Sequence, residues 1–147
     1  MFAEQMLPRA RERLATIDAG GLVRDAADLM SKPHTDLLVV CDGDGGMVGV
    51  LTKTDLIGQI GRCSGGGCTA RAETIMTRAV VSCRPTESLQ DIWLMMKKRG
   101  LPRIPLLDGS GKPIGILYAR DVLQNLLGEV EDQDSLLRDY VMSIGYQ

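Results

Sequence analysis

Aromatic residues are scarce in this chain of 147: Phe2, Trp93, Tyr118, Tyr140 and Tyr146 make up 3% of it. That is too few rings to stack the bases of a single-stranded nucleic acid. Basic charge is not in excess either. The 17 lysines and arginines face 19 acids, for a net charge of −2, so no overall positive field exists to hold a phosphate backbone. Histidine occurs once, at His34, which excludes a multi-histidine metal site and any mechanism that needs a histidine pair. Long apolar runs are missing as well. The run Leu37 to Cys41 falls far short of the roughly 20 residues that cross a bilayer. The first residues, with Glu4, Arg9, Arg11, Glu12 and Arg13, lack the apolar core of a secretory signal. The expectation is a cytoplasmic protein with reduced thiols that binds neither nucleic acid nor membrane.

Four cysteines remain. Cys63 and Cys68 flank a Ser-Gly-Gly-Gly loop and could serve as a redox pair or half a metal site. No second pair at metal-ligand spacing follows, so free thiols are the expected state and no metal site is assigned. Cys41 and Cys83 fall in apolar stretches and read as packed thiols.

What the chain does have is 44% apolar residues, enough for a core, and a repeat. Residues 37–55 align without a gap on residues 103–121, at the separation of Asp55 from Asp121. Asp42, Gly43, Gly45, Gly49, Leu51 and Asp55 meet Asp108, Gly109, Gly111, Gly115, Leu117 and Asp121. Upstream, Asp25 meets Asp91 and Met30 meets Met96. One unit therefore occurs twice, over about 14–60 and 80–126, and each reads as helix, strand, strand, helix. Leu22, Val23, Ala26, Ala27, Leu29 and Met30 form the first apolar helical stripe, with Leu89, Ile92, Trp93, Met95 and Met96 as its counterpart. The strand Leu37–Cys41 turns back through a Gly/Asp-rich hairpin into Val48–Leu51, and a second helix follows with Leu56, Ile57 and Ile60 on its apolar face. Short extended pieces, Ala15–Ile17 and Val80–Cys83, precede the early helices. The hairpin Asp42-Gly-Asp-Gly-Gly has only a superficial likeness to a calcium loop, because Gly46 and Lys53 stand where ligands are needed.

A unit of this size buries too little surface alone, so the two copies are expected to pack together with paired clefts between them. The fold class is α+β. Residues 1–13 read as an N-terminal arm, 14–70 as the first repeat with its linker, 71–128 as the second repeat, and 129–147 as a C-terminal amphipathic helix. That helix carries Leu136, Leu137, Tyr140, Val141 and Ile144, suited to packing on the pair or to contact with a partner.

The chemistry sits where each second strand ends. Thr52 stands at a helix start with Asp55 three residues on, echoed by Tyr118 and Asp121. Two readings fit. A carboxylate can accept hydrogen bonds from the two vicinal hydroxyls of a ribose, while Thr52 and the free N–H groups of the helix start face a phosphate that Lys53 or Arg120 neutralises. Equally, Thr52-x-x-Asp55 is a capping box that serves the helix alone; Tyr118 cannot cap in that way, yet Asp121 persists.

This doubled unit, each copy ending in Gly-apolar-apolar-(Thr or Tyr)-x-x-Asp, resembles a tandem cystathionine β-synthase (CBS) domain pair, a Bateman module, over residues 14–127. Further points of likeness are Met76-Thr77, Val80 to Pro85, Arg103 to Leu106 and Gly115 to Asp121. The resemblance implies two repeats, each a short sheet packed with two helices, and a non-catalytic regulatory module. It implies an adenine-nucleotide ligand (AMP, ADP, ATP or S-adenosylmethionine), a homodimer, and a separate regulated protein. It makes Asp55 and Asp121 the ribose acceptors and brings Thr52 and Lys53 to phosphate. It also frames adenine with backbone around Ile17 and Val39, or around Cys83 and Pro105. Tyr118 and Val39 depart from the family pattern, and the Tyr118 ring stacks or blocks. The rival reading is an interaction protein with empty clefts, and behind it a cysteine-based redox or metal sensor.

Overall fold

The computed structural model describes residues 1–33, 35–62 and 69–128. His34, the loop of Cys63 and Cys68, and the expected C-terminal helix lie outside the described residues. The chain opens with a 3-10 turn, Ala3–Met6, and α1, Leu7–Arg13. The first repeat follows as β1 Thr16–Asp18, α2 Val23–Met30, β2 Leu37–Cys41, β3 Met47–Thr52 and α3 Lys53–Arg62. After α4, Ala72–Ile75, the second repeat supplies α5 Leu89–Arg99, β4 Arg103–Leu107, β5 Pro113–Tyr118 and α6 over 119–128.

The repeat extends to the backbone register. Leu37 pairs with Thr52 as Arg103 pairs with Tyr118, and both hairpins shift register at the same point, Val40/Cys41 and Leu106/Leu107. β1 runs parallel to β2, with Ile17 opposite Val40. Its counterpart is reduced to a single parallel bridge, Cys83 to Leu106. Each hairpin turns on a glycine at φ 85°, Gly45 and Gly111, a conformation that side-chain-bearing residues avoid. Asp42 Oδ1 accepts from the N–H groups of Asp44 and Gly46, both at 3.0 Å, and Asp108 Oδ1 accepts in the same way from Ser110 and Lys112. These carboxylates are turn-formers.

The strands are buried on both faces, and alternation assigns the faces. Leu38, Val40 and Leu51 point to the first repeat's own helices with Val23, Ala26, Met30 and Leu56. Leu37, Val39, Cys41 and Val50 point the other way and meet Ile116 and Tyr118 of the second repeat. Ile104, Leu106 and Leu117 line the second repeat's own core with Leu89, Ile92 and Met96.

Each core is completed by the segment that precedes the other repeat. Ala72, Ile75 and Met76 close the first. Ala3, Met6 and Ala10 close the second, so the N-terminal arm contributes to a core. The N–H groups of Ala3, Glu4 and Leu89 bond the carbonyls of Glu87, Pro85 and Met1 at 2.9–3.0 Å. Two glycines mark the contacts. A Cβ on Gly49 would lie 2.6 Å from Met76 Sδ and 2.8 Å from the Thr77 carbonyl, and one on Gly115 would lie 2.6 Å from Ala10 Cβ.

The late-helix stripe needs correction. Leu56 is buried, but Ile57 and Ile60 are 69% and 57% exposed, because no described residue covers that side of α3. Cys41 and Cys83 are buried free thiols, and burial pushes the Cys83 thiol up to about 12.

Candidate functional site

The crossed packing sets where the clefts form. One hollow of ≈ 460 Å³ is of a size that accepts a small organic ligand. From the first repeat it takes the end of β3 and start of α3 (Val50, Thr52, Lys53, Thr54) and the entry to β2 (Asp36, Leu37). From the second it takes the extended segment Ala79 to Val81 and the stretch Leu101 to Pro105. Apolar walls thus stand opposite a helix start, whose unpaired N–H groups favour negative charge.

Thr52, Lys53 and Pro105 are therefore brought together, across the two repeats. Of the residues expected to frame adenine, Pro105 lines this hollow. Ile17 and Val39 line no part of this hollow, nor does Cys83, whose side chain lies in the second repeat's own core. The two faces of the sheet explain it. The side of β2 that carries Leu37 and Val39 faces the other repeat; Leu37, paired with Thr52, reaches the hollow, while Val39 is packed between the two repeats.

Asp55 is half-buried and forms the capping arrangement. Its Oδ2 accepts from the Thr52 N–H at 2.9 Å and the Thr52 hydroxyl at 3.1 Å, and the Asp55 N–H lies 3.3 Å from Thr52 Oγ1. Its Oδ1 has no partner among the described residues.

Two residues that the sequence reading missed stand at the mouth. Asp36 bridges two cations. Lys53 Nζ is 3.0 Å from its Oδ1 and Arg103 Nη2 is 3.4 Å from its Oδ2. The Lys53 hydrogen bond, opposed by burial and aided by the Arg103 charge, holds the Asp36 carboxyl below its ordinary range. Arg103 Nε is buried without a hydrogen-bond partner among the described residues. The cleft mouth thus carries one anion between two cations, and a ligand phosphate seeks the same cations.

The repeat mate of this cleft is a second hollow of ≈ 450 Å³, lined by Arg9, Glu12, Arg13, Leu14, Ala15, Pro33, Thr35 and Arg120. Asp121 does not line this hollow but is bonded to Arg13, which does. Asp121 is buried and takes both forks of Arg13, Nε at 3.1 Å from Oδ2 and Nη2 at 3.3 Å from Oδ1, with Arg9 Nε at 3.9 Å. Tyr118 is buried beneath guanidinium groups, with Arg13 4.2 Å, Arg103 5.1 Å and Arg120 5.3 Å from the ring centroid, distances that suit cation–π attraction. A third hollow, between the hairpin turns and β1, contains none of the expected site residues.

The CBS-domain profile matches residues 7–62 and again residues 72–128. The chain belongs to the CBS-domain family. Among similar proteins, an inosine-5'-monophosphate dehydrogenase of Nitrosopumilus maritimus is 26% identical over 110 residues, which are 75% of this chain but 22% of that enzyme. The chain spans about a fifth of the length of such curated relatives, as of the homoserine O-acetyltransferase of Methanococcoides burtonii (22%). The match is thus to a segment of larger enzymes. Among solved structures, CBSX2 in complex with AMP superposes with a TM-score of 0.73 at 23% identity, covering 86% of this chain and 96% of that one. The CBS domain pair of protein MJ0100, in complex with 5-methylthioadenosine and S-adenosyl-L-methionine, gives 0.71 at 20% identity, covering 88% and 98%. The fold is that of a CBS pair. Among the described residues no helix is long and apolar enough to cross a membrane, and no group of three or more histidine, cysteine, aspartate or glutamate side chains could hold a metal.

Proposed function

We propose that this CBS pair is a non-catalytic regulatory module that binds an adenosine derivative (AMP, ADP, ATP or S-adenosylmethionine) in the cleft at Thr52 and passes its occupancy to a separate protein. The observation that carries this reading is the ≈ 460 Å³ hollow built from both repeats, apolar on one side and cationic at a helix start. In this reading the base lies against Val80, Val81 and Pro105, Thr52 and Lys53 meet phosphate, and Asp55, which caps α3 and does not line the hollow, turns its Oδ1 to ribose. A ligand that touches both repeats stabilises whichever mutual arrangement it fits best, which is the basis of its signal. The bound AMP of CBSX2 and the bound nucleosides of the MJ0100 pair support the ligand class. The exposed Ile57 and Ile60 on α3 support a homodimer formed through helices.

Thermal denaturation with each ligand tests the reading. At about 100 times its dissociation constant a specific ligand adds roughly 2.7 kcal/mol, or about 5–10 °C in Tm for a chain of this size. Lys53→Ala should reduce the gain from AMP. The capping bonds of Asp55 favour one rival, an interaction protein whose Thr52–Asp55 pair serves only α3. A transition unmoved by every adenosine compound would establish that rival instead.

A further inference from the structure

The two clefts are repeat mates, and one position at which they differ lies in the segment before each repeat's first strand. In the first, the residue facing the cleft from the segment before the strand is Ala79, whose methyl group leaves the hollow open. Its mate in the second is Arg13. That side chain is 9% exposed, and it reaches Asp121, itself 7% exposed, with two nitrogens on two carboxylate oxygens. The guanidinium also lies on the face of Tyr118, the mate of Thr52. A carboxylate that grips vicinal hydroxyls uses the same two oxygens that a forked guanidinium uses, so the two partners exclude each other. The ion pair is buried and stacked, which distinguishes it from an exposed pair that a ligand displaces at little cost.

We propose that Arg13 is the residue that closes the second cleft to nucleosides, so that the chain takes one adenosine ligand rather than two. This rests on the function proposed above and adds the stoichiometry. The segment before each repeat decides whether the nearby acid is taken: arginine at 13 occupies both oxygens of Asp121, and alanine at 79 has no group that could do the same to Asp55.

Isothermal titration of the full chain with AMP reads the number of sites. The expected result is one site per chain in the wild type and two in Arg13→Ala, with the added site lost again when Asp121→Asn is combined with it. Two sites in the wild type would overturn the proposal, as would a folded Arg13→Ala protein that still binds one. No binding in either protein would overturn the adenosine reading as well, so the two failures are distinct. Removing Arg13 strands a buried carboxylate and endangers folding, so the converse variant is the second arm. Ala79→Arg alters an exposed position and should plug the open cleft, weakening AMP by about tenfold or more, a change of about 1.4 kcal/mol. Unchanged affinity in Ala79→Arg would overturn the proposal without recourse to the other variant.

Discussion

Asp36 is the residue whose removal should reveal what the open cleft is for. It holds Lys53 at 3.0 Å and Arg103 at 3.4 Å, so a phosphate seated on Lys53 comes to rest about 6 Å from a fixed negative charge. At an effective dielectric of roughly 20–60 that repulsion is about 1–3 kcal/mol per phosphate charge. Partial exposure of Lys53 and Asp36, at 54% and 28%, places the value at the lower end. Asp36→Asn keeps the shape and removes the charge. AMP is expected to bind about fivefold to tenfold more tightly to this variant, ATP to gain more than AMP, and adenosine to change little. The gain should shrink in about 1 M salt, where the screening length falls to roughly 3 Å. Calorimetric titration of the three ligands at two salt concentrations reads all of this. An equal shift for adenosine and ATP, or a loss for ATP, would refute the assignment of the Lys53–Asp36–Arg103 mouth to phosphate.

Further outcomes follow from other parts of the fold. The Asp36 carboxyl is held low in the folded protein, so its stabilisation is complete above its unfolded value of about 3.9 and is lost as pH falls through the folded value. Thermal melts of the wild type and Asp36→Asn should therefore differ at pH 7 by at most about 4 °C and draw together as pH falls below the ordinary carboxylate range, given a partly exposed pair worth about 0.2–1 kcal/mol. Gly49→Ala must push its methyl into the Thr77 carbonyl and should cost about 1–3 kcal/mol in chemical denaturation. Gly58→Ala, on α3 with nothing within 4 Å, should gain about 0.5–1 kcal/mol. In alkylation at neutral pH followed by peptide mass spectrometry, Cys41 and Cys83 should stay unmodified until the protein is denatured, since both are buried and both thiols are held protonated.

The doubled unit was legible in the sequence because turn chemistry is local. Asp42 and Gly45, or Asp108 and Gly111, specify their hairpins wherever the hairpins are placed, and the alternation within Leu37–Cys41 follows from two buried faces. The pairing of copies across the clefts was not legible. A one-dimensional repeat does not say which strand faces which helix start, so it leaves Ile17 with Val39 and Cys83 with Pro105 as alternatives; of these four, Pro105 lines the hollow with Thr52. That choice is made by long-range packing, with Met76 and Thr77 lodged against Gly49 and Ala10 against Gly115. One signal for Arg13 did exist. Carrying the alignment a few residues upstream sets it against Ala79, an unlike pair at a shared position. Asp36 left no comparable trace, since its mate is Pro102 and its role depends on cations that come from separate repeats.

The outer side of β3 is bonded to Thr77, with Val50 and Thr77 exchanging N–H and carbonyl at 2.9 and 3.0 Å. The flank of β5 is covered by α1 at Gly115. On the remaining sides β1 is three residues long and its counterpart is a single bridge. Among the described residues an extended peptide thus finds no length of free main chain to zip onto. The proposed partner would read the module through helices and loops.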